Sequence, residues 1–188
     1  MRNILSILIF LIAFPAGAHA QQANVEKTLY GVQAGFLGIW GHNEYRLSNA
    51  IALRSEVGLD TELFGGSIYD RTGYVFTPVL SLEPRWYYNL TNRLRKSRTI
   101  ANNSGNFLSV KTSYHPSWFV ISNYDNIRIV SDISIIPTWS IRRSIGRHFN
   151  FEAGLGIGYR YIFAKQAGYA ENDSELAVNL NLRIGFHF

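Results

Sequence analysis

The chain has 188 residues, no cysteine and a formal net charge of +5, a length suited to one domain. Without cysteine there is no disulfide, thiolate metal site, cysteine nucleophile or lipid-modified N-terminal cysteine, and so modest a charge does not demand nucleic acid. Aromatic residues make up 14% and charged residues only 16%, against roughly 25% charged in ordinary soluble domains, so the apolar groups either build a soluble β core or face lipid as strands.

Residues 1–20, MRNILSILIFLIAFPAGAHA, set a cation at Arg2, an apolar run over residues 4–14, then Pro15 and the stretch Ala18-His19-Ala20. That order is a secretory signal peptide with an A-x-A site, and its apolar run is well short of the ~20 residues a membrane helix needs. Cleavage after Ala20 leaves residues 21–188 as one domain and a charge of +4.

Seven segments then alternate apolar and polar residues, the signature of strands with two different faces. LYGVQAGFLGIW reads as the first, with Tyr30, Val32, Ala34, Phe36 and Trp40 on one face. AIALRSEVGLD sets Ile51, Leu53, Val57 and Leu59 against Arg54, Glu56 and Asp60; YVFTPVLSLEPRWYY sets Leu80, Leu82, Trp86 and Tyr88 against Glu83 and Arg85. Next comes the basic run Arg93, Arg95, Lys96 and Arg98, with a weak helical period over residues 90–100. FLSVKTSYHPSWFV turns Lys111, Ser113, His115 and Ser117 to the polar face; SDISIIPTWSIRR does so with Asp132, Thr138 and Arg142. NFEAGLGIGYRYIF opposes Glu152, Gly154, Gly156, Gly158 and Arg160 to Leu155, Ile157, Tyr159 and Tyr161; LAVNLNLRIGFHF opposes Asn179, Asn181 and Arg183 to Leu180, Leu182, Ile184, Phe186 and Phe188.

The segments reach the ~9–11 residues a tilted strand needs to cross a bilayer, whereas globular strands average ~5–6. Their polar faces carry Arg54, Glu56, Glu83, Arg85, Lys111, Asp132, Arg142, Glu152, Arg160 and Arg183, a mixture of signs that suits a filled barrel interior better than the solvated face of a soluble sandwich. Prolines 78, 84, 116 and 137 each delete a ladder donor in either arrangement. Tracing the chain back from its C-terminus puts Trp40, Trp86, Tyr88 and Trp139 at one membrane interface and Tyr30, Trp118, Tyr159 and Tyr161 at the other, as two aromatic belts require. The fold class expected is all-β: a transmembrane antiparallel up-and-down β-barrel.

The leader, the alternating strands and the final Arg183-Ile184-Gly185-Phe186-His187-Phe188 resemble the small outer-membrane β-barrels of Gram-negative bacteria, the OmpA/OmpX-like group. The resemblance covers the mature chain in pattern and the terminal motif in residues. It implies eight strands, a plugged polar lumen, periplasmic termini, and Phe186 and Phe188 as a signal read by the barrel-assembly machinery. It also implies an outer-membrane location, with lipid and lipopolysaccharide as surroundings. Eight strands require either two merged strands between residues 28 and 64 or an N-terminal segment running through or beside the barrel.

Gly154-x-Gly156-x-Gly158 lies within a strand, so it makes room for lumen neighbours and strand curvature rather than a phosphate loop. His115 and Ser117 share a face and a spacing with the catalytic pair of outer-membrane lipid A deacylases, which makes a base–nucleophile pair an alternative. That register turns the pair into the lumen, away from an acyl chain. Arg93, Arg95, Lys96 and Arg98 form a solvated turn or meet an anionic periplasmic partner. His42, His148 and His187 lack metal-ligand spacing, and no cofactor is expected. Tyr69, Tyr124 and Tyr169 lie in exposed loops. The leading functional expectation is a closed barrel with a structural or binding role; a narrow channel or small-ligand or lipid carrier comes second, and a hydrolase using His115 and Ser117 third.

Overall fold

The computed structural model describes residues 23–64, 73–125, 127 and 129–188; the expected leader and the loop carrying Tyr69 lie outside them. The strands are β1 (Thr28–Gly35), β2 (Gly38–Arg46), β3 (Ile51–Phe64), β4 (Gly73–Trp86), β5 (Asn106–His115), the two-residue β6 (Ile121–Ser122), β7 (Asp132–Ile145), β8 (Phe149–Ile162) and β9 (Asp173–His187). Each long strand pairs antiparallel with the next, β6 adds a short pairing on β4, and β1 closes the ring by pairing with β9, Gly31 opposite His187 through Gly35 opposite Arg183. The result is a closed up-and-down barrel of eight long strands. At ~3.3 Å rise and ~40° tilt the fourteen-residue strands stand roughly 35 Å tall, whereas β1 and β2, of 8 and 9 residues, rise only about 20 Å.

The eighth strand comes from splitting the first segment. LYGVQAGFLGIW contains a two-residue turn, Phe36-Leu37, clamped between Gly35 and Gly38, which pair with each other. Gly38 sits at φ +144°, and a Cβ there would lie 2.1 Å from the Leu59 carbonyl oxygen, so this turn needs glycine. The turn also reverses the parity of the face: directly opposed residues share a face, and Gln33 stands opposite Trp40. Trp40, expected at a membrane interface, is therefore a lumen residue, 3% exposed. Tyr30 moves too, because it lies beside Phe188 at the end holding the termini, not at the opposite rim.

On every other long strand the alternation gives the observed faces. Inward positions are mostly buried and polar, with Val75, Val79, Phe107 and Ile136 as apolar members; outward positions such as Val57, Leu82, Ile135, Leu155, Val178 and Ile184 are exposed and apolar. The exposed charged residues of the strands, Glu62, Asp173 and Glu175, all sit at the loop end. Trp86, Tyr88 and Trp139 gather at the base, where the Trp139 indole donates to the Tyr88 hydroxyl at 2.8 Å; Trp118, Tyr159 and Tyr161 lie toward the loop end, exposed.

The base is sealed from below. The β4–β5 connection folds into a short helix, α1 (Leu90–Arg95), and a 3-10 turn (Ala101–Asn103). With the N-terminal segment it buries Val25, Ala52, Tyr87, Leu90 and Phe107 in one apolar cluster against which Ala23 and Ile100 pack. The N-terminal segment thus lies across the base, held by Val25 N–H on the Asn49 carbonyl and Glu26 N–H on Asn103 Oδ1.

Glycines let β8 press onto β7: a Cβ at Gly158 would stand 2.1 Å from the Ile135 carbonyl oxygen and 2.7 Å from Ile136 Cα. Backbone cannot step aside as a side chain can, so Gly158→Val is expected to lower stability by about 1–3 kcal/mol, read as a shift of the urea midpoint followed by tryptophan fluorescence. An unchanged midpoint would mean the two strands do not approach this closely.

Candidate functional site

Closing the ring points one polar face from every strand at a common axis, and the lower lumen becomes a packed charge network. Glu44 on β2 faces Arg142 on β7 across the barrel at 3.0 Å, and Glu152 on β8 meets Arg54 on β3 at 3.7 Å and Arg85 on β4 at 2.9 Å. Arg142 also pairs closely with Glu152, its Nε donating to Oε1 and its Nη2 beside the same oxygen. Arg85 returns to Glu83 at 2.6 Å, while Arg54 bonds Glu56 and Gln33, each at 2.5 Å. Arg183 on β9 reaches Glu56 on β3 at 2.8 Å and stacks over the Trp40 ring at 3.7 Å. Such planar, many-donor groups bind several carboxylates at once, which lysine cannot do as well.

Neutral groups fill the gaps. Tyr87 and Asn103 each donate to Glu44 Oε1 at 2.7 Å, Ser109 donates to Glu83 at 2.6 Å, and Asn181 donates to Glu152 at 3.3 Å. Tyr87 lies just past β4, in the apolar cluster of the base, and burial pushes its hydroxyl far above the ordinary phenol range, so it remains a donor. Gln33, Asn150 and His187 form a chain beside Arg54, ending next to His42, whose ring meets His187 edge to face.

Above this network the lumen opens into a vestibule. His115 links two strands there, its Nδ1 bonded to Asp132 on β7 at 2.9 Å and its Nε2 to Asp60 on β3 at 3.0 Å. Arg160 pairs with Asp132, Glu62 and Glu175 at 3.2, 3.2 and 3.3 Å. The vestibule has a volume of about 310 Å³; Lys111, Ser113 and Ser134 line it from the lumen, and Leu37 with Leu176, Val178 and Leu180, on the part of β9 that does not pair with β1, line its side.

The ten charged residues singled out from the sequence thus divide. Arg54, Glu56, Glu83, Arg85, Lys111, Arg142, Glu152 and Arg183 meet in the lower network; Asp132 and Arg160 stand in the vestibule. Sequence reasoning missed Glu44, hidden by ending the first strand at Trp40, although the run Trp40-Gly41-His42-Asn43-Glu44 puts Glu44 in phase with Trp40. It also missed Asp60, Gln33 and Tyr87 as partners of the charges.

The structure does not join His115 to Ser117. Both ring nitrogens of His115 are occupied by carboxylates, Ser117 exchanges hydrogen bonds with Ser131, and the Ser113 hydroxyl bonds Ser81 at 2.9 Å. With both ring nitrogens engaged, His115 is not placed to take the Ser117 proton in this arrangement. In the basic run, Arg93 is buried and caps the Thr99 carbonyl from two nitrogens, whereas Arg95, Lys96 and Arg98 are exposed; burial first, then Arg98, pulls the Arg93 guanidinium below its ordinary value. His148 lies in the β7–β8 turn, stacked on Phe186. Among the described residues, no group of three His, Cys, Asp or Glu is placed to hold a metal ion.

No protein-family model, no curated protein and no solved structure matches the chain.

Glu152 faces Arg54, Arg85 and Arg142 with its side chain fully buried. Glu152→Gln removes one of the two carboxylates these three guanidiniums share, the other being Glu44, so a loss of about 3–5 kcal/mol is expected, read from urea unfolding. Arg160→Gln, at the half-solvated rim, is expected to cost under about 1 kcal/mol. Equal effects at the two sites would mean the lower network carries no special weight.

Proposed function

We propose that this chain is an integral outer-membrane β-barrel protein with a structural or binding role and a lumen closed by its own ion pairs. One observation carries the reading: the barrel is inside out by the standard of a soluble one. Arg54, Arg142, Glu44 and Glu152 are fully shielded within, while Val57, Leu82, Leu155, Val178 and Ile184 are more than half exposed without. In water such a continuous apolar surface far exceeds the few hundred Å² that monomers tolerate; in a bilayer it is the ordinary outer face of a barrel.

The dimensions support the same reading. From Trp86 to Tyr74 along β4, ~3.3 Å per residue and ~40° of tilt give an apolar band roughly 30 Å tall, near hydrocarbon thickness. The two aromatic groups bound that band, where indole and phenol rings prefer to lie. Placing the base at the periplasm sets Arg95, Lys96 and Arg98 there for an anionic partner and turns the loop end outward. A closed structural barrel is favoured over a channel because arginine and glutamate side chains occupy the lower lumen across its whole width.

The test is refolding into detergent and lipid vesicles, followed by electrophoresis with and without heating and by planar-bilayer conductance. The expected result is a compact unheated species, stable insertion, and no discrete openings. Leu180→Arg, near mid-band opposite Leu155, is expected to cost about 2–4 kcal/mol of bilayer stability. Recovery of the native chain as a soluble monomer without detergent, with Leu180→Arg as stable as the parent, would refute the membrane reading. Regular openings would refute the closed lumen.

A further inference from the structure

The lower network contains five cations, Arg54, Arg85, Lys111, Arg142 and Arg183, and four carboxylates, Glu44, Glu56, Glu83 and Glu152. The surplus charge falls on Lys111. Its nearest counter-charge is Glu56 Oε2 at 3.6 Å, and the other oxygen of Glu56 is already held by Arg54 and Arg183 at 2.5 and 2.8 Å. Among the described residues Lys111 makes no hydrogen bond, although its residue is 6% exposed and its ammonium has three donors to place. It lines the floor of the vestibule.

The rim has the opposite bias. Among the described residues, the cations within 4 Å of Asp60, Asp132, Glu62 and Glu175 are Arg160 and His115, with Lys111 acting on Asp60 from farther away. Asp60 is held by His115 and the Trp40 indole, and Asp132 by His115 and Arg160, whereas Glu62 and Glu175 remain 60% and 50% exposed in their side chains. A pocket with an under-paired cation at its floor and surplus carboxylate at its mouth is complementary to a dipolar solute. A simple anion would be repelled at the rim, and a simple cation would meet Lys111. The volume of about 310 Å³ is at the small end of ligand sites, room for a ligand of amino-acid size.

We propose that the vestibule binds a small zwitterion carrying one carboxylate and one ammonium, the carboxylate on Lys111 and the ammonium among Glu62 and Glu175. This deepens the binding role proposed above and rests on the lumen being closed beneath Lys111.

The experiment titrates the refolded full-length protein in detergent with 6-aminohexanoate, observed by calorimetry and by NMR shifts of Ser113, Ser134 and Asn179. Acetate and ethylamine serve as the half-ligands, and glycine and 4-aminobutyrate vary the charge separation. Saturable binding of an amino acid of this series is expected, with acetate and ethylamine each weaker by about tenfold or more, the loss of one charge-assisted contact. Lys111→Met is expected to weaken binding about tenfold or more, and Glu62→Gln to weaken the amino acids but not acetate. If Lys111→Met does not refold, Ser134→Leu fills the pocket with every charge in place and supplies the same test. Acetate binding as well as every zwitterion, unsaturable shifts, or binding indifferent to these variants overturns the proposal. Protein that shows heat-shifted mobility yet ignores every probe overturns this inference alone; protein that never forms the barrel overturns the reading beneath it.

Discussion

Everything in this barrel depends on charges neutralising one another across the lumen axis. An isolated guanidinium or carboxylate at the observed burial would cost several kcal/mol after relaxation. Here Glu44 is met by Arg142, and Glu152 by Arg54 and Arg85, from strands across the lumen, while Arg142 also meets Glu152 from the neighbouring β7. Those contacts exist only when the ring is closed and every strand is in register. A slip of one residue would turn Arg54, Glu56 or Glu152 outward and drive Val57 or Leu155 inward, because side chains alternate with a period of two. The network is thus a poor generic source of stability and a strong determinant of register. It selects one closed arrangement among the many that an apolar lumen would accept.

The same constraint explains why much of the fold was legible in the sequence. Alternation alone sorted Arg54, Glu83, Lys111, Arg142 and Arg183 from Val57, Leu82, Val110, Trp139 and Ile184, since a two-faced strand must write its faces into the chain. It failed where parity changed without a conspicuous mark. Phe36-Leu37 is an apolar turn, with none of the Asn-Gly or Asp-Gly chemistry that announces a two-residue hairpin, so one apparent strand concealed two. Trp40 went to the wrong face and Glu44 was overlooked as a consequence. The seal beneath the barrel was illegible for another reason: Val25, Leu90 and Phe107 are far apart in sequence and meet only when the ring brings the N-terminal segment over the β4–β5 connection. Nor did spacing reveal that His115 spends both nitrogens on Asp60 and Asp132, which lie on other strands.

The prolines show what the network can carry. Pairing between β4 and β5 lapses from Glu83 and Pro84 until Arg85, and pairing between β7 and β8 lapses at Ile136 and Pro137. Both prolines stand on the outer face, where the missing donor cannot be supplied by water if lipid lies outside. At the first lapse the inner face compensates: Glu83 and Arg85 bond each other, and Ser109 of β5 bonds Glu83. Side chains thus join β4 to β5 where the backbone ladder does not. The lumen network supplies lateral cohesion as well as register.

The two ends of the barrel divide structural work from availability. At the base, apolar residues and α1 cover the lumen, and each carboxylate of the lower network has an arginine beside it. Toward the loops, the charges are spread over a wider opening and lean on one arginine and one histidine. Below Lys111 the arginines and glutamates are desolvated and ion-paired with one another, which leaves them little to offer a solute. A half-solvated group of charges with one under-paired lysine beneath it retains free donors and acceptors at little cost to the fold. The buried half of the lumen makes the barrel rigid, and that rigidity holds the vestibule charges at fixed separations. Selectivity for a dipolar solute requires fixed separation, because a flexible pocket could bring its charges to any ion.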